Sequence, residues 1–166
     1  NDQFIADAVA AGVDGLILVD LPPEEDAELC LPAKQAGLDF IRLITPTSDD
    51  TRLPAILAEA SGFVYYVSVT GITGTASAAA DSIAAAMTRI RKQTDLPIVT
   101  GFGIRTAAQA AEAARLSNGA VVGSAVVNII ADNLPDGTTT ISADNRQEII
   151  RKIAAFVADL SAAIRG

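Results

Sequence analysis

Five short apolar runs, each followed by a stretch with helical patterning, constrain this 166-residue chain more than any other feature. They are residues 15–19 (GLILV), 40–44 (FIRLI), 63–67 (FVYYV), 97–99 (PIV) and 120–122 (AVV), and their starts lie 25, 23, 34 and 23 residues apart. The runs are β-branched or aromatic and bounded by Gly, Pro or Asp, as buried strands are. Being apolar on both faces, they suit a parallel sheet covered by helices. A strand-helix alternation at this pitch implies an α/β fold with right-handed crossovers. The one wide interval places a longer loop after the third run.

The stretches between the runs read as helices. Residues 24–36 follow Pro22-Pro23 and carry Glu24, Glu25 and Asp26 in the first turn, where the helix dipole favours negative charge, with Gly37 as the stop. Ser48 or Asp49 caps a helix running to about Glu59. Residues 78–92 and 106–116 are Ala-rich helices. The longest spans 144–165, with Ile149, Ile150, Ile153, Phe156, Val157 and Leu160 on one face. Residues 134–143 are polar, hold Pro and Gly, and read as a surface loop. A helix over 2–11, closed by Gly12, opens the sequence with no strand before it. An open doubly wound sheet and a closed barrel both satisfy this alternation. A (β/α)8 barrel has eight strands and ~250 residues. Five strands, starting midway through a repeat, read as the C-terminal part of such a TIM barrel: one incomplete domain over 1–166, lacking the N-terminal strands.

Composition narrows the chemistry. With 12 basic and 20 acidic residues the net charge is −8, which disfavours the phosphate-backbone contacts of nucleic-acid binding. No apolar run reaches the ~18–20 residues of a membrane helix. A single Cys gives no intrachain disulfide and fits a reducing compartment, so the chain is expected in the cytoplasm. Without His, neither a His/Cys zinc site nor a Ser-His or Cys-His nucleophile pair is available, and no metal is expected. Lys34, Lys92 and Lys152 all fall in helical stretches, which disfavours a Schiff-base aldolase.

In parallel α/β folds the functional loops follow the strand C-termini. The fourth run leads into Thr100-Gly101-Phe102-Gly103-Ile104 and the fifth into Gly123-Ser124. Gly103 and Gly123, without Cβ, leave their amides open to an oxyanion. Ser124 is placed to cap a short helical turn over 125–130, whose N-terminus attracts phosphate without Lys or Arg. Together they read as a phosphate seat; singly, each reads as a tight turn or a cap. The third run ends in the two-glycine loop 70–75, either a lid over a ligand or a linker. Alternation sends one of Tyr65 and Tyr66 inward and the other toward the helices. Asp20 follows the first run directly and is either a general acid/base or, the favoured reading, a turn or interface residue. Arg42 lies inside a strand, where charge is costly unless paired, and it either snorkels or bonds a carboxylate.

The segments GVDGLILVDLPPEE (12–25), YYVSVTGITGT (65–75), TGFGIRT (100–106) and GAVVGSAVVNII (119–130) closely resemble the tryptophan synthase α family, in order and with compatible spacing from the first helix to the last. The resemblance implies a barrel lyase that splits indole-3-glycerol phosphate into indole and glyceraldehyde 3-phosphate without a cofactor. It implies an α2β2 complex with a pyridoxal-phosphate β subunit that receives the indole. By motif, Gly74, Gly103, Gly123 and Ser124 hold the phosphate, Phe102 lines the site, Tyr65 borders the indole ring and Thr73 rides on the mobile loop. Asp20, Leu21 and Pro22 lie toward the β subunit. The family's catalytic Glu and Asp sit on early strands with no counterpart here, so no catalytic residue is assigned, and the chain alone is expected to be inactive and to associate with itself through its open barrel edge. A phosphate-binding assembly fragment and another phosphate-binding barrel isomerase are the competing readings.

Overall fold

A computed structural model describes residues 1–68, 76–101, 103–134 and 141–166. Among them run five strands, β1 (Gly15–Ile17), β2 (Asp39–Ile44), β3 (Val64–Val67), β4 (Ile98–Gly101) and β5 (Gly119–Val121). All four pairings are parallel and the order in the sheet is β1-β2-β3-β4-β5. The helices are α1 (Asp2–Ala10), α2 (Cys30–Gln35), α3 (Leu53–Leu57), α4 (Ala76–Ile90), α5 (Ala107–Leu116), α6 (Ser124–Ala131) and α7 (Ala143–Arg165). Every expected strand exists, with shifted ends.

The strand pleat separates two faces. Leu16, Phe40, Ile44, Val64, Tyr66 and Ile98 point toward the helices and are buried. Tyr66 packs with Met87 and Ile90 of α4 and with Leu53 and Ile56 of α3. Phe40 and Leu16 pack with Ile5 of α1 and Ala33 of α2, and Ala110 and Ala113 of α5 with Leu160 of α7. The opposite face is only partly covered: Leu43, Tyr65, Val99 and Val121 are half-buried and Ile17 is exposed. The outer edges of β1 and β5 have no strand beside them among the described residues.

Four helices differ from expectation. Residues 24–36 do not form one helix; a 3-10 turn, Pro23–Glu25, precedes α2 at Cys30. Pro32 is the reason. It has no N–H for the carbonyl of Glu28, and its ring crowds that carbonyl, so the helix cannot extend back through it. The Glu28 carbonyl instead accepts the Asn1 side-chain amide (2.7 Å). The helix expected to reach Glu59 is only Leu53–Leu57. Asp49 caps the preceding turn, accepting from the Thr51 and Arg52 amides (3.0 and 2.9 Å), and Pro54 keeps the two from merging. At the last strand, Gly123 rather than Ser124 is the N-cap; Ser124 is the first residue of α6. The α7 face is also narrower than its periodicity suggested, since Ile149 and Leu160 are buried but Ile150 and Val157 stay about half exposed.

Arg42 finds its partner across the β1–α2 loop. It is buried, pairs with the buried carboxylate of Asp26, donates to the Leu21 carbonyl (3.1 Å) and stacks 4.6 Å over the Phe40 ring. The loop that carries Asp20, Leu21 and Pro22 is thereby tied to β2.

Candidate functional site

Parallel register brings the ends of β4 and β5 level. Gly101 pairs with Val121, so Gly103 and Gly123 each lie two residues beyond the same row. On the other side of β4, Tyr65 pairs with Val99, which puts its side chain on the same face as Gly101. Around this corner Tyr65, Gly103, Ile104, Arg105, Val121, Gly123 and Ser124 line a cleft of about 420 Å³.

Backbone features shape it. Gly103 has φ +71°, a conformation that costs an L residue roughly 1 kcal/mol. Gly101 is required for a different reason: a Cβ there would sit 2.6 Å from the Tyr65 hydroxyl and 2.8 Å from Val121 Cβ. The bare Cα of Gly101 is what lets the tyrosine lie over the end of β4. At Gly123 an added Cβ would meet nothing within 4 Å, so open cleft lies in front of it. Thr106 and Gln109 form a capping box, and Gln109 Oε1 also accepts the Arg105 amide (2.8 Å), which fixes the turn from Gly103 into α5.

The electrostatics favour an anion. The Gly123 carbonyl accepts the amides of Val126 and Val127 (2.9 and 3.2 Å), so the first-turn amides of Ser124 and Ala125 have no partner within the helix. The positive end of the α6 dipole points the same way. Among the described residues no carboxylate lines the cleft, and Arg105 brings a cation to it. Burial raises the Tyr65 phenol above its ordinary pKa, so it stays protonated, a donor, at neutral pH.

Of the residues expected at the site, Tyr65, Gly103, Gly123 and Ser124 are brought together here. Gly74, Thr73 and Phe102 lie outside the described residues, as does the loop 70–75. Asp20, Leu21 and Pro22 follow β1, at the far edge of the sheet from this cleft, with Asp20 and Pro22 exposed. Tyr66 is the tyrosine that faces the helices. Sequence reading passed over Gly101 and Arg105. Arg105 had a signal, two residues past a strand-end glycine; Gly101 had none short of the register.

A sequence profile of the tryptophan synthase alpha chain matches residues 1–164. The chain belongs to the tryptophan synthase α family. Solved structures agree. The tryptophan synthase subunit alpha of Legionella pneumophila str. Paris is 32% identical at a TM-score of 0.80, over 99% of this chain and 56% of that one. Tryptophan synthase from M. tuberculosis, in an open form with BRD0059 bound, is 32% identical at 0.76, over 99% and 55%. The alpha subunit from Campylobacter jejuni is 26% identical at 0.78, over 93% and 58%. The five-stranded α/β sheet is thus part of the tryptophan synthase α TIM barrel, and the chain spans a little over half the length of these relatives. No helix among the described residues is long and apolar enough to cross a membrane.

Proposed function

We propose that these 166 residues are the phosphate-gripping portion of a tryptophan synthase α-type lyase, an incomplete barrel domain for the retro-aldol cleavage of indole-3-glycerol phosphate into indole and glyceraldehyde 3-phosphate. The observation that carries this reading is the cleft between β4 and β5, where Gly103, Gly123 and Ser124 converge beside the N-terminus of α6. Main-chain amides with no helical partner, a helix dipole and no facing carboxylate suit a doubly charged ester. The Tyr65 ring, leaning over Gly101, borders the indole end. Gly74 adds a phosphate contact, Thr73 the closing loop and Phe102 a wall, on the family resemblance. The chain needs no cofactor of its own; pyridoxal phosphate belongs to the β subunit, which meets Asp20, Leu21 and Pro22. The setting is the cytoplasm.

The proton-transfer groups are a different matter. Among the described residues no carboxylate lines the cleft, and a positioned acid or base contributes about 10²–10⁴-fold each. The chain therefore binds this substrate without cleaving it. One titration tests both halves: adding indole-3-glycerol phosphate while following backbone amide shifts and free indole. Shifts at Gly103, Gly123 and Ser124 with background indole are expected. Unmoved amides would remove the phosphate seat, and steady indole release would show that catalytic groups are present. Binding without release also fits a phosphate-binding assembly module, which the open cleft without acids favours as second reading.

The uncovered edges of β1 and β5 have a consequence of their own. Unpaired strand edges beside an apolar face recruit further chains. Sedimentation velocity is expected to show concentration-dependent species above the 17.0 kDa monomer, and a single monomer boundary at all concentrations would count against it.

A further inference from the structure

We propose that Arg105 is the charged clamp of the anion seat: its guanidinium closes over a phosphate dianion held by the amides of Gly103, Gly123 and Ser124 and makes the seat selective for doubly over singly charged oxyanions. The inference rests on the phosphate reading above and adds to it a residue that neither glycine geometry nor the helix dipole supplies.

Position is the first argument. Arg105 lines the same cleft as Gly103, Gly123 and Ser124, and among the described residues no acid lines it with them. Charge bookkeeping is the second. In a chain with 20 acidic and 12 basic residues, four of the nine arginines hold a carboxylate among the described residues. Arg42 pairs with Asp26, Arg52 with Glu24, Arg89 with Asp50 and Arg151 with Glu148. Arg105, like Arg91, Arg115, Arg146 and Arg165, makes no ion pair among the described residues, and of these five it is the one that lines this cleft. The third is its base. Its amide is held by Gln109 Oε1, and the neighbouring Ile104 is buried in the cluster with Ala110 and Leu160. The guanidinium thus swings from a fixed backbone at the cleft wall. Its planar fork matches two phosphate oxygens, a geometry that Lys cannot copy.

Amide dipoles and a cation both attract a dianion more than a monoanion, but a full positive charge does so more strongly and at longer range, so it adds most to the dianion preference. The chain has no His to titrate in the interval where a phosphate monoester ionises, so the ligand's own ionisation is legible. Binding of glycerol 3-phosphate by calorimetry, at about pH 5.5 and about pH 7.5 on either side of its second ionisation, is compared among the parent chain, Arg105→Gln and Arg105→Lys. At the higher pH Arg105→Gln is expected to bind roughly three- to tenfold more weakly and to lose most of the preference for the dianion. Added salt weakens the parent more steeply than Arg105→Gln. Arg105→Lys lies between, retaining charge without the fork. Equal affinity and equal pH dependence in parent and Arg105→Gln would overturn the clamp while leaving the amide seat in place. A parent chain that binds no glycerol 3-phosphate at either pH would overturn both. Should Arg105→Gln fold poorly, Arg105→Met, which also removes the charge, takes its place: a lost dianion preference supports the clamp and an unchanged one overturns it.

Discussion

Gly123→Asp is expected to stabilise the chain while nearly abolishing phosphate binding. The residue is the N-cap of α6 and makes no side-chain cap now. A carboxylate there meets the dipole's positive end and is worth about 0.5 kcal/mol in stability. Nothing lies within 4 Å of the new Cβ, so there is no steric penalty. The same carboxylate projects into the cleft, competes for the Ser124 and Ala125 amides and repels an arriving dianion. At about 4 Å in a partly screened site, that repulsion amounts to ~3 kcal/mol, about a 100-fold loss in affinity. Urea denaturation reads the first effect and phosphate-ester titration the second. Opposite signs are the diagnostic feature, because a merely structural Gly123 would give a stability change with no ligand consequence. Gly123→Ala should remain folded and lose less affinity. If Gly123→Asp bound glycerol 3-phosphate as well as the parent, the anion would not sit at α6.

The site was legible to the extent that it depends on chain spacing. Parallel strands one unit apart bring their ends together, so Gly103 and Gly123 met as the intervals implied. Strand alternation likewise put Tyr65 and Tyr66 on opposite faces, without telling which faces the helices. What stayed hidden depends on register and side-chain reach. Gly101 matters because Tyr65 leans along the strand and occupies the space of its missing Cβ, a contact between residues 36 positions apart in sequence. Arg105 sits in a motif that reads as backbone chemistry, and only the cleft's outline brings its charge into play.

The fold shows the same division. Strand existence followed from short apolar runs, but helix extent was set by groups that periodicity ignores. Pro32 and Pro54 shorten two helices by withholding amides, and Asp26, which reads as a first-turn acid favouring a dipole, turns inward to Arg42 instead. A tertiary ion pair outweighs a local preference worth well under 1 kcal/mol at an exposed terminus.

That ion pair supports the second large effect, a loss of about 3–5 kcal/mol in unfolding free energy for Arg42→Met. Removing the guanidinium leaves the Asp26 carboxylate buried without its partner and the Leu21 carbonyl without its donor. The double variant Arg42→Met/Asp26→Leu should recover most of the loss, because both desolvated charges go together. Recovery is favoured by an imperfection: Arg42 Nε is buried with no acceptor among the described residues, so the native pair is incompletely satisfied. The neighbouring Arg52–Glu24 pair is the control. It is bidentate at 2.7 and 3.0 Å, but both side chains are about half exposed, so Arg52→Met should cost less than about 1 kcal/mol. Chemical denaturation of the three variants beside the parent chain completes the comparison. The loop tied by Arg42 carries Asp20, Leu21 and Pro22, so Arg42→Met should also loosen that loop, whereas the apolar double variant, with its loop repacked, should loosen it less. Equal small losses for Arg42→Met and Arg52→Met would mean that burial does not distinguish the two pairs and that the β1–α2 loop is held by its packing alone.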